Sequence, residues 1–288
     1  MKVYISNYLS KSISILSYPT FELEKEIELE EDIHPHQFCV DSKKNLMYIL
    51  GTTDGRLYIL DLTTNKIVDN ISIGGNLSQT ALVNGELFIS NEDSNSIYIL
   101  DQETANPIGM IGVDDMPHSF DVDEVTNKLY VSCINSIVCI DTINKCVDNR
   151  IDTEFKAWHI NVDKEKKEIY TSTLDGKLVI LSEENMEVTN IVEDFLLPTQ
   201  ICFNYTYGKV FVADIGYQNI IILDYNTGKQ IGCIEIDGVP KGIEISKDDK
   251  LLLISDTQKN SIKVYDVLEN KLIKEVKVGK EPTTILCV

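Results

Sequence analysis

The chain has 288 residues, 43% of them apolar and 25% charged, a composition typical of globular proteins and unlike that of disordered, collagen-like or membrane-spanning chains. Its 26 Lys and Arg stand against 46 Asp and Glu, and the formal net charge of −20 repels phosphate backbones and anionic lipid. We therefore expect neither nucleic acid nor a membrane surface as a partner.

The N-terminal segment and the cysteines bear on the compartment. The chain opens with MKVYISNYLSKSISILS, in which polar residues interrupt every apolar run, so the pattern of a secretory signal is missing. The seven cysteines are odd in number and scattered, without a CxxC pair, which indicates reduced thiols. These features predict a cytoplasmic protein.

An apolar triplet followed by a small polar residue recurs along the chain every 40 to 44 residues. The copies are, in order, SILS (14–17), YILD (58–61), YILD (98–101), VCID (138–141), VILS (179–182), IILD (221–224) and KVYD (263–266). A repeat of this length indicates one supersecondary unit per copy, stacked on its neighbours. The sequence thus contains seven units.

Each unit contains four predicted strands, A to D, of which the triplet forms strand C. Strand B directly precedes strand C in each unit: VYISN (3–7), MYILG (47–51), LFISN (87–91), LYVSC (129–133), IYTST (169–173), VFVAD (210–214) and LLISD (252–256). Strand A lies about ten residues earlier, as in HQFCVD (36–41) and HSFDVD (118–123), and strand D follows strand C, as in KLIKEVKVG (271–279). Asn84-Gly85 between strands A and B is a strong hairpin signal.

Seven four-stranded units predict an all-β fold, a seven-bladed β-propeller with antiparallel blades. The chain starts at a B strand, and PTTILCV (282–288) supplies the missing A strand, so the C-terminal strand should join the N-terminal blade and close the ring. We expect a single domain, 1–288. Its blades are approximately 1–32 plus 280–288, 33–73, 74–113, 114–153, 154–194, 195–237 and 238–279.

The repeat resembles that of the YVTN-repeat (YncE-like) propellers, which are related to the amine-dehydrogenase heavy-chain and lactonase-like propellers. The resemblance covers essentially the whole chain. It rests on a Pro before apolar alternation, then YISN, FISN or YVSC, then S-I-x-I-L-D and N-K-x-V. It implies the architecture, whereas a fold by itself does not assign an activity.

Two columns of the repeat have structural explanations. Aspartates end five C strands and should close the following turns by accepting backbone hydrogen bonds: Asp61, Asp101, Asp141, Asp224 and Asp266. Aromatic residues in the B strands should lie in the core: Tyr4, Tyr48, Phe88, Tyr130, Tyr170 and Phe211. Neither column is expected to carry chemistry.

The junctions between strand D and the next strand A are the most informative part of the sequence. After the proline position, successive blades carry His36, Ser78, His118, Trp158, Thr199, Lys241 and Thr283, followed by Gln37, Gln79, Ser119, His159, Gln200, Gly242 and Thr284. All four histidines, counting His34, and the single Trp fall at this rim. The family resemblance implies that this end of the channel is the usual ligand-binding face.

The rim supports a functional interpretation and a structural one. If His36, His118 and His159 converge, imidazoles titrating near neutrality can perform acid–base catalysis or hold a metal. The candidate ligand-binding residues are Trp158, Gln37, Gln79, Gln200, Lys241, Asn91, Asp214 and Asp256; the last three end B strands and can equally tie down the B–C loops. Acidic loop residues (Asp54, Glu92, Asp93, Asp175) would favour a divalent or organic cation. Alternatively, the histidines only cap strands, as in WD-repeat proteins.

The first hypothesis is a non-catalytic binding or scaffold propeller, a monomer that presents this rim to a protein, peptide or small molecule. The alternative is a lyase or hydrolase that uses the rim histidines. The HPH and MPHS junctions resemble those of streptogramin lyase, a resemblance that implies acid–base chemistry by histidine with a magnesium ion. The catalytic residues of streptogramin lyase cannot be matched to this sequence one by one. Lactonase-like propellers are usually longer than this chain. No Ser nucleophile motif, phosphate loop or HExxH motif occurs in the sequence. No cofactor is evident, and whether a divalent metal binds at the channel mouth stays open. A redox subunit like the amine-dehydrogenase heavy chain is a weaker third hypothesis.

Overall fold

The computed structural model describes residues 2–30 and 32–288; Met1 and Glu31, both inside the predicted first blade, lie outside the described residues. The described part consists of strands and turns, so it contains no helix that could cross a membrane. The strands are β1 (Lys2–Asn7), β2 (Ser12–Ser17), β3 (Leu23–Glu28), β4 (Pro35–Asp41), β5 (Leu46–Gly51), β6 (Arg56–Asp61), β7 (Lys66–Ser72), β8 (Leu77–Val83), β9 (Glu86–Asn91), β10 (Ser96–Asp101), β11 (Pro107–Gly112), β12 (Ser119–Asp123), β13 (Lys128–Cys133), β14 (Ser136–Asp141), β15 (Cys146–Asp152), β16 (Ala157–Asp163), β17 (Glu168–Thr173), β18 (Leu178–Ser182), β19 (Val188–Val192), β20 (Pro198–Asn204), β21 (Lys209–Asp214), β22 (Asn219–Asp224), β23 (Gln230–Glu235), β24 (Pro240–Ile245), β25 (Leu251–Asp256), β26 (Ser261–Asp266), β27 (Lys271–Lys277) and β28 (Pro282–Cys287).

These strands form seven antiparallel sheets of four strands each. Six sheets take four consecutive strands, from β4–β7 to β24–β27, and the remaining sheet has the order β28-β1-β2-β3. The A strands (β28, β4, β8, β12, β16, β20, β24) contact one another in a closed circle. This arrangement confirms the predicted seven-bladed propeller. We number the blades 1 to 7, beginning with the blade that contains both chain ends.

The chain ends close the ring as predicted. Strand β28 pairs antiparallel with β1, with Tyr4 opposite Leu286 and Ile5 opposite Ile285. Beyond the strand, the Lys2 N–H donates to the Val288 carbonyl at 2.8 Å, and the Val288 N–H donates back at 2.9 Å. The last residues therefore complete blade 1 and remove an exposed sheet edge, which is a site of unwanted strand pairing.

The core is divided among the contacts between neighbouring blades. Within residues 2–30 and 32–288, seven clusters of buried apolar residues each join two adjacent blades; one of them packs Phe88 and Ile97 of blade 3 against Phe120 of blade 4. The B-strand aromatics are at most 7% exposed, which confirms that this column is core. Packing between blades, rather than inside a blade, thus holds the ring together.

The aspartates at the ends of the C strands close turns, as expected. Asp61 Oδ1 accepts hydrogen bonds from the Thr63 and Thr64 N–H groups, and Asp141 Oδ1 accepts from those of Ile143 and Asn144. These bonds stabilise the ionised carboxylate and lower the pKa of both side chains. Closure of the turn therefore explains why aspartate recurs at the end of the C strands.

Candidate functional site

A β-bulge near the start of the A strands positions the rim residues. In blade 2, Pro35 pairs with Gly51 and Phe38 pairs with Ile49, so His36 and Gln37 together oppose a single residue of β5. The same shift occurs in five further A strands, at Leu77/Thr80, Ala157/Ile160, Pro198/Ile201, Pro240/Ile243 and Pro282/Ile285. A bulge bends its strand and re-aims side chains. Both columns identified in the sequence can therefore reach the channel mouth.

The serine of the B-strand motif fixes this bulge. Its hydroxyl accepts the N–H of the second bulged residue, for example Gly242 N–H to Ser255 Oγ at 2.7 Å and Thr284 N–H to Ser6 Oγ at 3.1 Å. The same hydroxyl donates to the next blade, from Ser255 to the Thr283 carbonyl at 3.0 Å and from Ser6 to the His36 carbonyl at 2.7 Å. A Cβ on Gly242 would lie 2.0 Å from the Thr283 oxygen, so the bulge of blade 7 requires glycine there. The rim is thus built on a hydrogen-bonded frame.

The rim encloses a cavity of about 300 Å³ at the channel mouth. It brings together seven of the predicted site residues: His36, Gln37, His118, Trp158, His159, Gln200 and Lys241. The other lining residues are Leu174, Leu197, Thr199, Ile215, Thr283 and Thr284. The three histidines and the tryptophan predicted to converge therefore lie around one cavity.

Three contacts orient the His118 side chain in the cavity. Its ring stacks on Trp158, with 3.5 Å between ring centroids and 13° between planes, and His159 meets it edge-on at 5.1 Å. Its Nδ1 lies 2.6 Å from Glu92 Oε1, from the B–C loop of blade 3. A carboxylate that accepts the Nδ1–H fixes the tautomer, which leaves Nε2 as the acceptor of the neutral ring.

The other two cavity histidines are uncharged at neutral pH. Burial lowers the pKa of His36 to about 3, and the nearby Lys241 and His118 side chains act in the same direction. Burial likewise lowers the pKa of His159 well below its usual value, with His118 and His36 contributing. The expectation that these imidazoles titrate near neutrality is therefore wrong for His36 and His159. Each offers one N–H donor and one acceptor nitrogen instead.

The glutamines of the rim join neighbouring blades. Gln200 Oε1 accepts the Ile243 N–H of blade 7 at 3.1 Å, while its side chain also lines the cavity. Gln79 Nε2 donates to the Phe120 carbonyl of blade 4 at 3.4 Å and lines the channel below the mouth. The structure therefore places Gln79 outside the cavity, which no residue of blade 3 lines.

The three B-strand ends also lie outside the cavity, and each is buried in a loop closure. Asn91 Nδ2 donates to the Gly74 carbonyl at 2.8 Å. Asp214 accepts the N–H groups of Leu196 and Leu197 at 2.8 and 3.0 Å. Asp256 is fully buried and pairs with the Lys263 ammonium. These contacts explain Asn91, Asp214 and Asp256 without a ligand.

The acidic loop residues also accept hydrogen bonds from groups within the protein. Asp54 accepts from the Tyr58 hydroxyl, Asp93 from the Asn76 N–H at 3.1 Å and Asp175 from the Lys156 N–H at 3.0 Å. Over residues 2–30 and 32–288, no group of three His, Cys, Asp or Glu side chains is arranged to hold a metal ion. His34 also lies outside the cavity, with Nδ1 3.2 Å from the Tyr8 carbonyl.

The apolar wall of the cavity was not predicted from the sequence. Leu174 and Ile215 directly follow B strands, at a loop position where three other blades carry the polar residues Thr52, Glu92 and Thr257. An apolar residue at this half-buried position was an incomplete signal, because Ile134 occupies the same position in blade 4 and does not line the cavity. Leu174 and Ile215, with Leu197, give the cavity a water-excluding side, which is typical of sites for small organic molecules.

No protein-family model matches the chain, and neither does any curated protein sequence. Solved structures do match. Hydrazine synthase of Kuenenia stuttgartiensis is 14% identical, with a TM-score of 0.76 over 91% of this chain and 92% of that one. Dihydro-heme d1 dehydrogenase NirN, solved in complex with DHE, is 13% identical, with a TM-score of 0.76 over 99% and 74%. Apo AztD from Citrobacter koseri is 10% identical, with a TM-score of 0.75 over 99% and 96%. At these identities the likeness concerns the fold alone, and the chain shares the seven-bladed β-propeller of these proteins.

Proposed function

We propose that the protein is a non-catalytic binding propeller that holds a small molecule in the mouth of its central channel. The observation that carries this proposal is the cavity of about 300 Å³, in which the bulges of five blades and His118 converge. A concave, largely apolar site with a few convergent polar groups is the usual form of a small-molecule site. A protein or peptide partner would in addition contact the surrounding D–A and B–C loops.

The protonation state of the rim supports binding over catalysis. General acid–base catalysis works best with groups that titrate near the working pH. His36 and His159 are neutral, because burial lowers the pKa of each, so they serve as fixed hydrogen-bonding groups. The rigid frame of serine hydrogen bonds beneath them provides the preorganisation that a binding site needs.

We assign the chain to the YVTN-repeat type of propeller on its repeat pattern and propose that it works in the cytoplasm as a monomer. Seven free thiols support a reducing compartment. The net charge of −20 favours a dispersed monomer and basic or neutral macromolecular partners over nucleic acid.

The second candidate is a lyase or hydrolase of the streptogramin-lyase-like or lactonase-like kind. One contact favours it: the 2.6 Å distance between His118 Nδ1 and Glu92 Oε1. A carboxylate that orients an imidazole in this way makes the opposite nitrogen a general base. In such an enzyme His118 would abstract a proton from the substrate, with Trp158 holding the substrate ring or apolar group.

Native mass spectrometry of the protein purified gently from its own host tests the proposal. We expect a bound small molecule on the wild type and on His34→Ala, whose side chain lies outside the cavity, but not on Trp158→Ala. A bare chain of 32.5 kDa in every sample, or a molecule retained by Trp158→Ala, would contradict the proposal.

The same material separates binding from catalysis. The released molecule is incubated with the wild type and with Glu92→Gln, and its mass is followed over time. A binding protein leaves the mass unchanged. Conversion by the wild type that falls by about 100-fold or more in Glu92→Gln would instead support the enzyme.

A further inference from the structure

The charge and wall chemistry of the cavity point to its ligand class. Resting on the proposed function, we propose that the channel mouth selects a small single-ring organic acid, whose carboxylate is held by Lys241 and whose ring lies against the apolar wall.

The charge of the cavity is opposite to that of the chain. The sequence has 46 Asp and Glu residues, yet none of those in residues 2–30 and 32–288 lines the cavity. Lys241 does line it, and within that part of the chain no carboxylate lies within ion-pair distance of its ammonium. Glu281 acts on Lys241 only through space. A partly buried cation facing a cavity without carboxylates favours an anion supplied by the ligand.

The hydrogen-bonding groups near Lys241 reinforce this preference. Gln200 Oε1 already accepts the Ile243 N–H, so the amide NH₂ of Gln200 remains as a donor. His36 is a neutral ring with one N–H to donate. Donors therefore exceed acceptors around the ammonium. A carboxylate has two oxygens with about four lone-pair positions and can accept several of these donors at once.

The apolar side chains of the cavity all lie on one side. Blades 5 and 6 contribute Trp158, Leu174, Leu197 and Ile215, together with the polar His159, Thr199 and Gln200, whereas blades 7, 1 and 2 contribute only polar residues, among them Lys241, Thr283 and His36. A ligand that covers the apolar side chains and also pairs with Lys241 needs an apolar body and an acidic group. A small inorganic anion would leave the apolar side chains uncovered.

The volume limits the size of the apolar body. A cavity of about 300 Å³ corresponds to roughly ten water molecules at about 30 Å³ each. A single aromatic ring with a short acidic side chain fits this space. Nucleotides and peptides are larger and would project from the mouth.

The single Trp of the chain provides the measurement, because Trp158 lines the cavity. Its fluorescence is recorded while benzoate or phenylacetate is added, with benzamide as the neutral analogue and benzylamine as the cationic one. We expect the acids to change the fluorescence at about tenfold lower concentration than benzamide, which corresponds to about 1.4 kcal/mol, since a charge-assisted hydrogen bond is stronger than a neutral one. Benzylamine should bind most weakly.

Substitutions then identify the anchor. Lys241→Gln should weaken benzoate binding about tenfold and leave benzamide binding unchanged, whereas Lys241→Arg should retain a preference for the acid. Lys156→Gln is the matched control. It removes an exposed lysine two residues from Trp158, and therefore the same positive charge as Lys241→Gln. Calorimetry on Trp158→Phe checks that the fluorescence change reports binding.

The outcomes separate the two proposals. If benzamide or benzylamine binds as tightly as benzoate, or if Lys241→Gln binds benzoate normally, the ligand class is wrong while the binding function stands. If none of the four compounds binds, the organic-acid proposal also fails. In that case a molecule found on the wild type by native mass spectrometry preserves the binding function, and a bare chain overturns both.

Discussion

The two ends of the channel are built from the same seven A strands, and they use their polar residues differently. At the end opposite the mouth, Asp41 accepts the N–H groups of Lys43 and Lys44, and Asp163 accepts those of Glu165 and Lys166. At the mouth, by contrast, the Lys241 side chain faces a cavity without an ion-pair partner in the described chain. Polar groups that close their own turns explain the fold, and those that face the cavity are the basis of the proposed ligand site.

Deletion of 282–288 should have the largest effect, because it destroys both ends of the channel at once. It removes β28, leaves β1 as an unpaired edge and removes the strand through which blade 1 contacts β24 and β25 of blade 7. We expect the unfolding free energy to fall by roughly 5 kcal/mol or more, which is most of the stability of a typical domain. Denaturant unfolding measures the loss.

Ile285→Ala is the graded control for this deletion, since it keeps the strand and removes one side chain that is 5% exposed. It should cost about 2–5 kcal/mol and retain a cooperative transition. A truncated chain that unfolds as cooperatively as this variant would show that the ring does not depend on its closing strand.

The repeat made the ring predictable, whereas contacts between blades were not predictable. Apolar alternation at a fixed period identifies the strands, and propeller topology then brings His36, His118 and Trp158 to one end of the channel. Gln37, Gln79 and Gln200 occupy the same column, and Gln79 and Gln200 both bond to the next blade, yet Gln79 does not line the cavity. No residue of blade 3 lines it, and a repeat alignment does not contain this asymmetry of the ring.

Lys263→Met tests a lysine that has an ion-pair partner inside the protein, in contrast to Lys241 at the cavity. The Lys263 ammonium pairs with Asp256, and both residues are buried, 6% and 0% exposed. Removal of the cation leaves a buried carboxylate without its partner, so we expect a loss of about 3–5 kcal/mol in denaturant unfolding. The double variant Lys263→Met/Asp256→Asn should recover part of this loss. An additive result would argue against coupling between the two side chains.

Glu244 should make the stability of the channel wall depend on pH. Burial raises the pKa of this carboxyl to about 7 from 4.5. Because the folded state binds the proton more tightly, the contribution of Glu244 is full below pH 4.5 and is lost as the pH rises through 7. The expected loss is at most about 3 kcal/mol.

Glu244→Gln keeps an oxygen to accept the Cys287 N–H and removes the titration. It should therefore be more stable than the wild type at pH 8, by denaturant unfolding, and show a flatter pH profile between 5 and 8. The exposed Glu193→Gln is the control and should follow the wild type. Parallel profiles for the wild type and Glu244→Gln would remove Glu244 as the cause.

Ser255→Ala tests the frame beneath the mouth. The variant leaves the Gly242 N–H and the Thr283 carbonyl without their shared hydroxyl partner, and both lie in buried backbone. We expect a loss of about 1–3 kcal/mol. Ser255→Thr retains the hydroxyl and should lose less, whereas equal losses for the two variants would indicate packing rather than hydrogen bonding.

Lys241→Met should have the smallest effect on stability and the opposite sign to Lys263→Met. Burial lowers the pKa of Lys241, so the unfolded state binds its proton more tightly and the charged side chain destabilises the folded chain at neutral pH. Its removal should raise the unfolding free energy by less than about 1 kcal/mol. A destabilisation comparable to that of Lys263→Met would mean that Lys241 supports the fold. A gain in stability, combined with lost affinity for organic acids, is the trade-off expected when a charged group is kept for a ligand.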